Sequence, residues 1–187
     1  TLGWFKDPVL SGMLRKKEGR LAELIIHELT HGTIYISNNV EYNENLATFI
    51  GEEGAKQFIN NKFGKESPQM KEYLDFQADE EIFGDYMITS CLRLDSLYNH
   101  LNLKDATEVN YRKKYFLIKD IILNINQLPL NNPKRYRFKF PGDHLPNNSF
   151  FMSFKRYRKK QTDFRQELSK NGGNIKQWLL HLRSENN

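Results

Sequence analysis

Leu21-Ala22-Glu23-Leu24-Ile25-Ile26-His27-Glu28-Leu29-Thr30-His31-Gly32 is the stretch on which the reading of this chain turns. Leu21, Leu24, Ile25 and the run from His27 to His31 fit one helical register, and neither proline nor interior glycine interrupts it from Leu21 to His31. Residues at i and i+4 share a helix face, so His27 and His31 can present two imidazoles to one point. Two imidazoles so placed suit one Zn²⁺, and Glu28 beside the first could take a proton from a water at the metal. The neighbours Ile26, Leu29, Thr30 and Gly32 are uncharged, as a buried cation requires, since a Lys or Arg would repel it. By chance this pattern arises in about one chain in a hundred of this length. The competing reading is a buried amphipathic helix whose histidines only satisfy hydrogen bonds. The adjacent carboxylate and the apolar flanks favour the metal.

A catalytic zinc usually takes three protein ligands and keeps one position open. Downstream, Glu41, Glu44, Glu52 and Glu53 are the candidates for the third. Asn43 reads as an N-cap, with Glu44-Asn45-Leu46-Ala47-Thr48-Phe49-Ile50 as the helical run that follows. Glu44 would then sit in the first turn, where the helix dipole favours its charge. The thirteen residues from His31 to Glu44 allow one turn and a reversal through Ser37-Asn38-Asn39. Ala47, Gly51 and Ala55 are small and would let this helix approach the first closely, whereas Glu52 and Glu53 lie two turns too far on.

His27 to His31 together with Asn43-Glu44-Asn45-Leu46-Ala47-Thr48-Phe49 resembles the gluzincin metallopeptidases. More narrowly, the chain resembles a bacterial zinc aminopeptidase family. Three further stretches carry the likeness: the opening Thr1-Leu2-Gly3-Trp4-Phe5-Lys6-Asp7-Pro8-Val9-Leu10, Gly51-Glu52-Glu53-Gly54-Ala55, and the tail from Asn147-Asn148 through Tyr157 and Phe164 to Gly172-Gly173. The resemblance implies a zincin-like catalytic domain, mainly α with a small β-sheet (α+β), followed by a helical C-terminal extension. It implies zinc-dependent hydrolysis of peptide bonds, with a peptide or protein as substrate and one Zn²⁺ held by His27, His31 and Glu44. Glu28 is then the general base, and Tyr157 the expected oxyanion donor, with His144 and Tyr136 as alternatives. Asn147 and Asn148 are expected to line the substrate cleft or to cap a helix. Gluzincins of the thermolysin type carry Asp four residues after the ligand Glu. Here Thr48 holds that position and could orient a histidine, but without a charge. An edge strand from Thr1–Phe5 or Val9–Ser11 would bind substrate backbone by strand addition.

Family members usually carry a substantial N-terminal region led by an export or lipoprotein signal. This chain starts at Thr1, so it reads as the catalytic part of a longer precursor. That places it in the bacterial envelope or periplasm if such a signal has been removed, and otherwise in the cytoplasm.

A length of 187 residues suits a single domain, here with residues 1–64 as metal-site core and 65–187 as helical part. A mean hydropathy of −0.71 describes a polar chain, and no run approaches the roughly 20 apolar residues that span a bilayer. With Cys91 as the single cysteine, neither an intrachain disulfide nor a cysteine-based zinc site can form. The net charge of +5 is concentrated late, in Lys134, Arg135, Arg137 and Lys139 and in Lys155, Arg156, Arg158, Lys159 and Lys160. Aromatics interleave with both clusters. A nucleic-acid binder could look like this, but Arg135-Tyr136-Arg137-Phe138-Lys139-Phe140 alternates as a half-buried strand does, and no nucleic-acid partner is expected. A non-catalytic zincin-like module that binds peptide or protein is the other alternative. Glu28 argues against it, because a pure binding site needs no general base. For an aminopeptidase, Asp7, Glu41, Glu52 and Glu53 are open choices for holding the substrate amine.

The coarse layout has helices over about 18–33, 44–62, 68–99 and from a capping box at Asp105-Ala106-Thr107-Glu108 to a stop before Pro129. A helix capped by Asn147 or Asn148 follows, then Gly172-Gly173 and a last helix capped by Asn174. Strands are expected in residues 1–12 and at Arg135–Phe140, and Thr33–Ile36 as an extended segment leaving the first helix. His100 and His181 read as structural.

Overall fold

The structure is a computed structural model; it describes residues 12–101, 107–138, 145–152, 154 and 161–185. Seven α-helices run through them: α1 (Glu18–Thr33), α2 (Val40–Phe63), α3 (Pro68–His100), α4 (Glu108–Asn124), α5 (Asn148–Met152), α6 (Gln161–Lys170) and α7 (Ile175–Glu185). The chain divides into two compact units, Thr1–Tyr73 with Tyr157–Asn187, and Leu74–Arg156.

The first unit is built on the α1–α2 hairpin. Thr30 and Thr33 return their hydroxyls to the carbonyls of Ile26 and Leu29, and α1 ends where Ile34 turns to extended backbone. Asn38 takes φ 60°, a left-handed conformation that asparagine tolerates. Asn39 caps α2, accepting from the Tyr42 backbone N–H at 3.3 Å. Asn43, expected to be that cap, lies one turn inside the helix, 3% exposed. Its carboxamide clamps the loop instead, accepting from the Ile36 N–H at 2.9 Å and donating to the Ile36 carbonyl at 2.8 Å. The helix therefore starts at Val40, and Glu44 stands in the second turn, where the dipole contributes little.

The two helices run antiparallel and close. Gly19 on α1 faces Ile59 and Tyr73, Gly51 on α2 faces Glu23 and His27, and Gly54 faces Ile26. Away from this seam, Leu46, Phe49 and Ile50 of α2 form one core with Phe164 and Leu168 of α6 and Trp178 and Leu182 of α7. Trp178, 1% exposed, stands edge-on to Phe49 at 5.7 Å. Gly172 and Gly173 both have positive φ and join α6 to α7, and Asn174 caps α7 through the Gln177 N–H.

In the second unit, Phe83, Met87, Cys91 and Leu94 make one face of α3 and pack on Ile118, Ile121 and Ile125. The buried carboxylate of Asp79 ties down the loop after α4. It accepts from the backbone N–H groups of Asn131 and Asn132 at 2.6 and 2.8 Å and from the Asn131 amide at 3.0 Å. Cys91 is buried and donates to the Phe151 carbonyl.

The expected α+β zincin-like fold with a small β-sheet is not what forms: among the described residues the fold is all-α, without a strand. Ile34 is extended where the chain leaves α1, as expected there, without joining a strand among the described residues. Pro133–Tyr136 is a 3₁₀ turn with proline at its start. The alternation beyond it is met by one-sided packing, with Tyr136 and Phe138 lying 4.7 and 5.8 Å from the Phe83 ring while Arg137 is exposed. Period-two burial needs only an apolar wall, which a helix face supplies as well as a sheet does. The strand expected within residues 1–12 falls almost wholly outside the described residues, as do Lys139 and Phe140. No helix among the described residues is long and apolar enough to cross a membrane.

Candidate metal centre

His27 and His31 stand one turn apart on the α1 face that meets α2, and Glu44 reaches them from the second turn of α2. The Nε2 atoms of the two imidazoles are 3.1 Å apart. Glu44 turns one carboxylate oxygen to each ring, Oε2 at 3.6 Å from His27 and Oε1 at 3.4 Å from His31. The rings meet edge to face at 82°, so both Nε2 atoms converge without stacking. Four ligands at zinc bond lengths of about 2.0–2.1 Å in a tetrahedron stand about 3.3 Å from one another, and the three separations bracket that value. All three side chains are between 19% and 35% exposed, which leaves an approach from solvent. Among the described residues this is the one group of three or more His, Cys, Asp or Glu side chains that could hold a metal ion. Its nitrogen and oxygen donors suit Zn²⁺.

Electrostatics favour the ligand form. Burial, and then the neighbouring His31, hold the His27 imidazole below its ordinary value, although Glu44 and Glu28 pull it upward. The neutral ring offers a lone pair, which is what a metal needs. Glu28 is exposed beside His27.

One turn before His27, Glu23 accepts from the Tyr73 hydroxyl at 2.8 Å. Tyr73 is fully buried, and burial followed by the Glu23 charge raises its pKa strongly, so it stays a donor. This brace was missed in the sequence. The spacing of Glu23, His27 and His31 at four-residue intervals was a usable signal for its α1 half. Nothing marked Tyr73, fifty residues away.

The other expected site residues fall elsewhere. Thr48 is half-buried one turn after Glu44, and no hydrogen bond from its hydroxyl is among those of the described residues. Tyr157 and His144 lie outside the described residues. Tyr136 is buried and donates to Glu80 at 2.6 Å; burial, then Glu80, raises its pKa. Asn147 and Asn148 belong to the second unit. Asn147 accepts from the Phe150 N–H at the start of α5, and Asn148 accepts from the Tyr98 hydroxyl at 2.7 Å. Of the acids weighed for holding an amine, Asp7 lies outside the described residues, Glu41 is exposed in the first turn of α2, and Glu52 is half-buried. Glu53 pairs with Lys56 at 2.6 Å.

A family model described as "Putative aminopeptidase" matches residues 1–185. The chain belongs to that family. No curated protein and no solved structure matches it. The family's description points to an aminopeptidase as the general activity.

Proposed function

We propose that the protein is a zinc-dependent peptidase, most simply an aminopeptidase, with His27, His31 and Glu44 as the metal ligands. One observation carries the reading: three donors of zinc-binding type converge within 3.1–3.6 Å from two helices. When bound, Zn²⁺ supplies a Lewis acid that makes a water nucleophilic near neutral pH and polarises a carbonyl. Glu28 accepts the proton of the attacking water and returns it to the leaving amine. Its exposure suits a group that must meet a substrate. His27 and His31 offer ring nitrogens, and Glu44 would offset half of the divalent charge. Tyr157 remains the proposed hydrogen-bond donor to the carbonyl oxygen as it becomes an oxyanion. Thr48 is proposed to steady the ligand set through its hydroxyl. Asn147 and Asn148 have structural hydrogen bonds of their own and are not needed for this chemistry.

The experiment pairs zinc analysis with cleavage of aminoacyl-4-nitroanilides and of the same substrates blocked at the amine. Wild-type protein is expected to hold one zinc per chain and to cleave only the unblocked series, with loss of activity on chelation. Glu28→Gln should keep its zinc and lose activity by about 10²- to 10⁴-fold, the range for a general base. Full activity in Glu28→Gln removes the role given to Glu28. Cleavage of blocked peptides would make the enzyme an endopeptidase. Tyr157→Phe should lower kcat more than KM.

A further inference from the structure

Gly51 sits in the α1–α2 seam against the main chain of α1, beside His27. A methyl group there would lie 2.9 Å from the Glu23 carbonyl oxygen, 3.4 Å from His27 Cβ and 3.5 Å from Glu23 Cγ. The first of these is a main-chain atom inside a helix and cannot rotate aside. The Glu23 side chain is itself held by the Tyr73 hydroxyl. We propose that Gly51 is a positioning residue, whose missing side chain sets the distance between the imidazoles on α1 and Glu44 on α2. The proposal rests on the metal-centre reading above and extends it to ion selectivity.

The size of the effect follows from geometry. Restoring ordinary contact at the Glu23 oxygen needs the helices to part by about 0.5 Å, whereas zinc–ligand distances tolerate about 0.2 Å. The parting would occur at the turn that bears His27, while Glu44 stays with α2. A wider cluster suits a larger cation better than Zn²⁺. Gly54 lies one turn further along the same helix and offers the contrast. A methyl group there meets only side-chain atoms of Ile26, Cδ1 at 2.8 Å and Cγ2 at 3.1 Å, and neither main chain nor a residue of the cluster. Alanine is the better helix former in both places, so any loss must come from the contact between helices.

The test measures Zn²⁺ and Cd²⁺ affinity by chelator competition in wild type, Gly51→Ala and Gly54→Ala, with far-UV circular dichroism as the check on folding. Gly51→Ala is expected to lose about 10- to 100-fold in Zn²⁺ affinity, the range for groups that orient ligands, and less for the larger Cd²⁺. Gly54→Ala should bind both ions as wild type does. Wild-type Zn²⁺ affinity and an unchanged Cd²⁺ to Zn²⁺ ratio in Gly51→Ala overturn the proposal. If Gly51→Ala is unfolded without metal, its refolding is titrated with each ion. Recovery at relatively lower Cd²⁺ supports the proposal; recovery at the wild-type ratio, or none with either ion, overturns it. Wild-type protein that binds neither ion refutes the metal centre itself, a result distinct from failure at Gly51.

Discussion

The bond between Tyr73 and Glu23 braces α1 one turn before His27. A fully buried hydroxyl there meets a carboxylate on the face that bears both histidines, one turn from the first of them. A hydrogen bond to a charged group is worth about 1.5–3 kcal/mol. Tyr73→Phe removes only the oxygen and leaves the ring in place against Gly19. Urea unfolding should show a loss of about 2 kcal/mol, and a change below about 0.5 kcal/mol would mean that the contact is incidental. The pairing of His27 with His31 was readable from the chain alone because a four-residue interval is a local feature. Glu44 was readable because few acids lie within reach of the first helix. Tyr73 was not, since its partner is fixed by how α3 begins, and no local pattern encodes that. Tyr136, one of the alternatives for the oxyanion donor, is engaged by Glu80, a partner that a lone tyrosine in a sequence does not reveal.

At the level of helices, the hairpin loop decides whether the ligands meet. Asn43 bonds the Ile36 backbone in both directions and is nearly buried. Each neutral hydrogen bond of this kind contributes about 1 kcal/mol. Asn43→Ala should cost about 2 kcal/mol by thermal or urea unfolding; a loss under about 0.3 kcal/mol would show that Asn39 alone closes the loop. The boundaries of α1 and α3 followed from hydrophobic spacing and from Ser67-Pro68. The start of α2 was missed by four residues because Asn38, Asn39 and Asn43 all have cap chemistry, and only the fold selects among them. The strand expected at Arg135–Phe140 does not form over its described part, for another reason. Alternating residues report which side is buried, not what covers it, and Phe83 on α3 covers Tyr136 and Phe138 without any ladder.

Taken as a whole chain, α1 and α2 share their unit with the C-terminal helices α6 and α7. Trp178 is the largest fully buried side chain among the described residues and links Phe49 of α2 to Phe164 of α6. Trp178→Ala should cost about 3–5 kcal/mol through cavity formation, read as a fall in melting temperature; a loss below about 1 kcal/mol would mean that α7 is dispensable to this core. The basic excess is partly engaged in the fold: Arg135 lies over the Phe76 ring at 4.5 Å, and Arg93 and Arg112 pair with Asp120 and Glu108. The cluster at Lys155–Lys160 lies outside the described residues. Composition set the polar character correctly but could not divide the chain, because a unit made of two distant stretches leaves no mark at either junction.

Zinc-edge X-ray absorption on the metal-loaded protein reaches the central claim most directly. It should show a low-coordinate shell of nitrogen and oxygen at about 2.0–2.1 Å with two imidazole scattering patterns and no sulfur, and that signature should vanish in His27→Ala. A shell of water oxygens alone, a sulfur ligand, or an unchanged spectrum in His27→Ala would contradict it.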